Sequence, residues 1–145
     1  MVPELVDIGG PWKVLPPGIH DATLAEVEQV FATTGRRRVL FAGFEQACRD
    51  LKKAGCSAVY LDGSFATEKP EPGDFDACWD PAGVVPARLN PVLLDFKDHR
   101  RAQKKHYLGE LFLSSSFAAP GRFFIDFFQT DRYTGKHKGI LRIHL

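Results

Sequence analysis

The spacing of apolar residues predicts two helices in the first third of the chain. Thr23 and Glu26 form a capping box, which indicates a helix that runs to about Phe31. Apolar residues recur at helical spacing along a second predicted helix, from about Arg36 to Ala54. Residues 1–20 are rich in Gly and Pro, so we expect an irregular lead-in there.

The rest of the chain alternates short apolar runs with Gly- and Pro-rich breakers, which is typical of a small sheet. Strands are predicted at Ser57 to Leu61, Phe75 to Trp79, Leu111 to Leu113, Phe123 to Gln129 and Gly139 to Leu145, and a polar helix at Leu94 to Tyr107. Two helices that precede and pack on a mixed sheet of about three to five strands indicate an α+β (mixed α/β) class. A length of 145 residues predicts a single domain, 1–145.

Composition narrows the class of protein. The net charge of +1 is too balanced for a protein that coats nucleic acid, so only local clusters of charge can support such a role. The three cysteines are odd in number and form no CxxC pair, which argues against a disulfide framework or a structural zinc site. No signal-peptide pattern and no apolar run of about 20 residues is present, so we expect a soluble cytoplasmic protein without membrane partners.

Three short features suggest chemistry when they are taken together. Gly63 and Ser64 directly follow a predicted strand, where backbone N–H groups and a hydroxyl can bind phosphate, although the same pair also occurs in plain turns. Asp74 and Asp76 lie two residues apart and share one strand face, where a divalent cation would relieve their repulsion. A solvated strand end is the alternative interpretation of these two carboxylates.

Asp126 is the third feature, because it interrupts an apolar run that predicts a strand buried on both faces. A buried carboxylate requires a metal, a hydrogen-bonding neighbour or a place at the open end of the strand. A Gly-Ser turn, an Asp-x-Asp strand and a later carboxylate together describe a two-metal site for phosphoryl or nucleotidyl transfer.

The run from Leu61 to Asp76 resembles the signature of the polymerase-beta-like nucleotidyltransferase superfamily. In that superfamily a Gly-Ser pair is followed about ten residues later by Asp-x-Asp or Asp-x-Glu, as Ser64 is followed by Asp74. The resemblance implies that Asp74, Asp76 and Asp126 bind Mg²⁺ or Mn²⁺ and are catalytic. It also implies that the nucleotide is bound by Gly63 and Ser64 and, because no arginine follows them closely, by Thr67 and Lys69.

The chain also resembles a narrower group of small bacterial proteins with a nucleotidyltransferase-like core, on the evidence of Leu15 to His20, Phe127 to Arg132 and Lys138 to Ile140. Such proteins often belong to toxin–antitoxin or phage-defence pairs. The resemblance implies transfer of a nucleoside monophosphate from a triphosphate such as ATP to a protein or tRNA hydroxyl, with a cognate partner protein. A catalytically inactive binding module or partner subunit with the same fold is the alternative.

Two basic clusters remain open to interpretation. Residues 97–105 are consistent with a surface that steers a nucleotide or an RNA acceptor, but a solvated helix face is the interpretation we favour. Arg36, Arg37 and Arg38 are interpreted as a surface cluster. Tyr107 is a candidate for stacking on a nucleobase, whereas Cys78 and Trp79 are interpreted as core residues.

Overall fold

A five-stranded mixed sheet forms the centre of the fold. The computed structural model describes residues 1–145. The sheet strands are β1 (Gly18–Asp21), β2 (Ala58–Asp62), β3 (Phe75–Trp79), β4 (Gly109–Leu113) and β7 (Gly139–His144), while β5 (Phe117–Ala119) and β6 (Arg122–Phe123) form a separate hairpin. The helices are α1 (Leu24–Phe31), α2 (Gly35–Lys53), α3 (Lys97–Tyr107) and α4 (Phe124–Phe127). The predicted α+β class is therefore confirmed.

Strand order determines which residues become neighbours. The five strands run in the order β1-β7-β2-β3-β4; β2 is antiparallel to β3 and β7, while β1 pairs with β7 and β3 with β4 in parallel. In this register Asp76 lies opposite Asp62 on one side and opposite Glu110 on the other. Three adjacent strands thus carry a carboxylate at the same level of the sheet.

The helices follow the predicted pattern closely. Thr23 and Glu26 form the capping box of α1, and Thr34 caps α2 by accepting from the Arg37 N–H. The apolar stripe of α2 packs against the sheet, and the ring of Phe44 meets that of Phe75 edge to face at 5.3 Å. None of the helices combines the length and the apolar character needed to cross a membrane.

Two expectations about secondary structure are wrong. Phe123 to Gln129 is not a strand: the Phe128 N–H donates to the Phe124 carbonyl at 3.0 Å in the short helix α4, and the Phe124 ring stacks on Phe112 at 4.1 Å. The lead-in is not wholly irregular either. Gly18–Asp21 forms β1, and Val14 bridges to both Val6 and Thr67.

Candidate active site

The Gly63–Ser64 turn lies where β2 leaves the sheet. Gly63 has φ 71° and ψ −165°, a conformation that only glycine adopts readily. A Cβ at this position would overlap the Asp76 carboxylate and lie 2.9 Å from the Asp76 Cβ. The turn therefore requires glycine for two reasons, its backbone conformation and its close approach to the acidic strand.

Arg37 holds this turn through hydrogen bonds to the loop that follows it, although sequence reasoning placed Arg37 in a surface cluster. Its side chain is buried and donates to the carbonyls of Phe31, Phe65, Thr67 and Lys69 at distances from 2.6 to 3.2 Å. Buried carbonyl groups need such partners, since an unsatisfied one costs about 1–3 kcal/mol. The surface interpretation of Arg37 is wrong, and its role is to hold the loop that follows Gly63.

Asp74, Asp76 and Glu110 form the acidic centre of the site. One oxygen from each carboxylate can be chosen such that all three lie within 4.8 Å of one another. Asp76 and Glu110 are direct neighbours on β3 and β4, and Asp74 immediately precedes β3. Sequence reasoning identified the first two residues and missed Glu110.

Asp126, the predicted third carboxylate, does not join this cluster. It lies in α4 with an exposed side chain, not inside an apolar strand, and it is absent from the group that Asp74, Asp76 and Glu110 form. Asp126 was placed near the other carboxylates because Phe123 to Gln129 was predicted to be a strand, which the structure does not contain. Glu110, which lies opposite Asp76 on β4, is the carboxylate that completes the cluster in the structure.

The electrostatics of the cluster reflect burial and crowding of negative charge. Burial, and then the charges of Asp74 and Glu110, raise the pKa of Asp76 to about 7. Burial and the charge of Glu110 also raise the pKa of Asp74. A positive ion among these oxygens would relieve the repulsion, so the donor set fits a hard divalent cation.

Asp62 and Lys138 lie behind the cluster. Asp62 is fully buried; burial and the nearby charge of Asp76 raise its pKa well above the ordinary value, and its Oδ1 atom has no hydrogen-bond partner. Burial lowers the pKa of Lys138, and the negative charges of Asp62, Asp131 and Asp76 act in the opposite direction. Lys138 thus brings positive charge to the floor of the site.

The basic segment 97–105 turns part of its charge toward the site. Arg100 Nε and Lys104 Nζ each lie 2.9 Å from a Glu110 oxygen. The start of α3 is left-handed at Asp98, His99 and Arg100, with φ between 50° and 61°. The segment was predicted to be either a steering surface or a solvated helix face. In the structure Arg100 and Lys104 form ion pairs with a carboxylate of the acidic cluster, which neither interpretation included.

A cavity of about 740 Å³ opens in front of Asp74 and Asp76. Its wall includes Gly63, Ser64, Thr67 and Lys69, so the structure brings together all four residues predicted to bind the nucleotide. The Thr67 hydroxyl, however, donates to the Ser64 carbonyl at 2.6 Å and accepts from the Lys69 N–H at 3.1 Å. Thr67 therefore shapes the turn, while Ser64 and Lys69 face the cavity.

Further charged and aromatic groups of the wall come from the two ends of the chain. The other basic residues are Arg122, Arg132 and Lys138, and the aromatic ones are Trp12, Phe127, Phe128 and Tyr133. Sequence reasoning assigned none of these side chains to the site. Tyr107, by contrast, is buried, and its hydroxyl donates to Asp50 at 2.6 Å, so the prediction that it stacks on a base is wrong.

Comparison with known proteins identifies the family. A family model described as a family of unknown function (DUF6932) matches residues 11–144, which is most of the chain. The chain belongs to DUF6932. The matched span includes the Gly63–Ser64 turn, the acidic cluster and every aromatic side chain of the cavity wall, so the site is part of this DUF6932 domain. No curated protein and no solved structure matches the chain.

Proposed function

We propose that this DUF6932 protein is a metal-dependent nucleotidyltransferase that transfers a nucleoside monophosphate from a nucleoside triphosphate to a hydroxyl of a protein or an RNA. The observation that carries the proposal is the convergence of Asp74, Asp76 and Glu110 beside the Gly63–Ser64 turn. Asp76 and Glu110 lie opposite each other on the parallel strands β3 and β4, and Asp74 and Asp76 border the cavity into which the glycine-containing turn opens.

The residues around the cavity divide into two functional groups. Asp74, Asp76 and Glu110 would hold Mg²⁺ or Mn²⁺, which would neutralise the charge on the triphosphate and on the leaving pyrophosphate. Ser64 and the backbone of its turn are placed to bind phosphate oxygens, with Lys69 and Lys138 as further cations. The acceptor oxygen would form the new bond to the α-phosphorus and release its proton to solvent as the bond to pyrophosphate breaks.

We assign to Glu110 the role that was predicted for Asp126, completion of the carboxylate set near the acceptor hydroxyl. Its ion pairs with Arg100 and Lys104 fix the orientation of the carboxylate. Each carboxylate oxygen has two lone pairs, so an oxygen that accepts from a cation retains one lone pair for a metal.

The same ion pairs favour one alternative function. Arg100 and Lys104 supply positive charge to Glu110 without a metal, as expected if the domain binds a nucleotide or a partner protein and does not turn it over. In that case magnesium would add little to nucleotide binding. The two functions therefore differ in their dependence on a divalent cation.

The decisive experiment is transfer of label from α-³²P-labelled triphosphates to macromolecules of a cell extract, with magnesium and with EDTA. We expect magnesium-dependent labelling by the wild type, loss of labelling in Asp76→Asn and Glu110→Gln, and normal labelling in the exposed control Asp126→Asn. Absence of labelling together with metal-independent nucleotide binding would establish the binding module instead. Loss of activity in Asp126→Asn would contradict the assignment of Glu110.

The proposal includes a cytoplasmic location. Cys48, Cys56 and Cys78 are free thiols in the structure. Unpaired cysteines are typical of reducing compartments, where nucleoside triphosphates and tRNA are also available. A fusion to a fluorescent protein, imaged in the native host, would test this location.

A further inference from the structure

An aromatic corner lies in the cavity that Asp74 and Asp76 of the acidic cluster border. The rings of Trp12 and Tyr133 meet edge to face with centroids 5.3 Å apart, and both line the cavity that Asp74 and Asp76 border. We propose that this corner is the subsite for the nucleobase, so that the ligand of the cavity is a nucleotide and not a bare polyphosphate. The assignment rests on the proposed function. It places the nucleobase at the aromatic corner and the phosphates at the end of the cavity that Asp74 and Asp76 border.

The aromatic corner is held in place by backbone contacts on both sides. Trp12 is anchored because the Glu68 N–H donates to the Lys13 carbonyl at 3.0 Å and Val14 bridges to Thr67, next to the Gly-Ser turn. Tyr133 lies in a turn closed by Asp131, whose carboxylate accepts from the Thr134 N–H at 2.9 Å and from its hydroxyl at 2.7 Å. Preorganised rings of this kind lose little entropy when they bind a planar ligand.

The exposure of Tyr133 supports a role in binding. Its side chain is 49% exposed, so the ring contributes little to the core and leaves surface free for a ligand. Trp12 is only partly buried, in contrast to Trp79, which is 1% exposed and packed in the core. Aromatic rings at the wall of a ligand-sized cavity are typical platforms for the π-face of a base.

Positive charges surround the aromatic corner. Lys69 Nζ lies 5.4 Å from the centroid of the Trp12 ring, and the Arg132 guanidinium lies 5.2 Å from that of Tyr133. Lys69 is partly exposed and Arg132 is exposed, and contacts between such cations and rings are weak, so both side chains can turn to phosphate oxygens when a base covers the rings. These cations, with Arg122 and Lys138 in the same wall, compensate for the arginine that is missing after Gly63–Ser64.

A ligand that fits this wall has a planar ring at one end and a metal-bound chain of phosphates at the other. Inorganic tripolyphosphate presents the phosphate chain alone, and would contact the acidic cluster and the cations but leave the rings uncovered. A comparison of the two ligands therefore isolates the base.

The test measures binding of magnesium with α,β-methylene-ATP and, separately, with inorganic tripolyphosphate by calorimetry. We expect Trp12→Ala and Tyr133→Ala each to weaken binding of the nucleotide about tenfold or more, while affinity for tripolyphosphate stays within about twofold. Trp12→Phe and Tyr133→Phe retain a ring and should retain most of the affinity. Phe117→Ala, which removes an exposed ring outside the cavity, serves as the matched control.

Fluorescence provides a readout that needs no alanine variant. The chain has two tryptophans, and Trp79 is buried, so quenching of the wild-type emission by the nucleotide and not by tripolyphosphate would report contact with Trp12. The quenching should disappear in Trp12→Phe.

The outcomes separate this inference from the proposed function. If both ligands bind with magnesium, and loss of either ring leaves both affinities unchanged, the nucleobase subsite is refuted while the metal–phosphate site stands. If neither ligand binds in a magnesium-dependent way, the proposed function fails and the subsite fails with it. Equal weakening for both ligands would also refute the subsite, because the rings would then support the fold and not the base.

Discussion

Replacement of Asp76 by Asn should change how the stability of the protein depends on pH. Asp76 is partly buried at the cavity wall, and burial together with the charges of Asp74 and Glu110 raises its pKa from 3.8 to about 7. In the unfolded chain the carboxyl group is in water and regains its ordinary pKa. Asn has nearly the same size and shape but no titrating group, so this substitution isolates the electrostatic contribution.

The sign follows from the number of protons bound in each state. Between pH 3.8 and about 7 the folded state retains a proton on Asp76 that the unfolded state has lost. The free energy of unfolding therefore falls by about 1.4 kcal/mol for each pH unit in this window, or about 4 kcal/mol in all. Above pH 7 the contribution of Asp76 is constant, and the ionised carboxylate destabilises the metal-free protein.

Urea unfolding at pH 5, 6, 7 and 8 in EDTA measures this effect. We expect the stability of the wild type to fall by about 3 kcal/mol between pH 5 and pH 8 because of Asp76, and this part of the slope to disappear in Asp76→Asn. The raised pKa values of Asp74 and Asp62 leave a residual slope of the same sign in the variant.

Magnesium should reverse the penalty in the wild type at pH 8, since at 100 times its dissociation constant a ligand adds about 2.7 kcal/mol. It should have little effect on Asp76→Asn. The exposed variant Asp126→Asn should behave like the wild type in both respects. Identical pH slopes for the wild type and Asp76→Asn would refute the electrostatic description of the cluster.

Three further substitutions test the backbone geometry and the hydrogen bonds that hold the residues of the site in place. Gly63→Ala should lower stability by about 2 kcal/mol or more, because φ at this position is 71° and the new Cβ would overlap the Asp76 carboxylate. Thermal unfolding measures this, and an unchanged Tm would contradict the geometry of the turn. Arg37→Met should lower the free energy of unfolding in urea by about 3 kcal/mol, because four carbonyls lose their donor. The exposed control Arg38→Ala should change it little. Equal losses for the two variants would contradict the burial of Arg37. His99→Gly should raise stability by about 1 kcal/mol, because His99 has a left-handed φ of 55°. Urea unfolding measures this, and a loss of stability would contradict the left-handed start of α3.

The sequence was most informative where the signal is local. The capping box at Thr23, the helical spacing of α2 and the apolar run Phe75 to Trp79 each depend on residues close in the chain, and the structure contains all three elements. The spacing from Ser64 to Asp74 and Asp76 is local as well, and these residues do meet in one cavity.

Glu110 could not be recognised in the same way, because it reaches the site through the parallel pairing of β3 with β4, and 29 residues separate these two strands. Nothing in the run Gly109 to Leu113 specifies that register. The one available signal was that a carboxylate immediately precedes the predicted strand Leu111 to Leu113.

The misassigned strand shows how tertiary packing can override propensity. Aromatic residues favour strands on average, and the run Phe123 to Phe128 contains four phenylalanines. In the structure Phe124 stacks on Phe112, and Phe128 also packs against that ring, which a one-turn helix allows. Arg37 was misplaced for a related reason, because its partners are carbonyls of a distant loop that carry no sequence signal.

The central claim, that Asp74, Asp76 and Glu110 hold a divalent cation beside a bound triphosphate, can be tested in one crystal. The crystal would be soaked with Mn²⁺ and α,β-methylene-ATP, and the anomalous signal of manganese would locate the ion. A peak within coordination distance of oxygens from all three carboxylates, with phosphate density next to Ser64, is the predicted result. A peak at Asp126, or a bound nucleotide with no metal between its phosphates and these carboxylates, would contradict the claim.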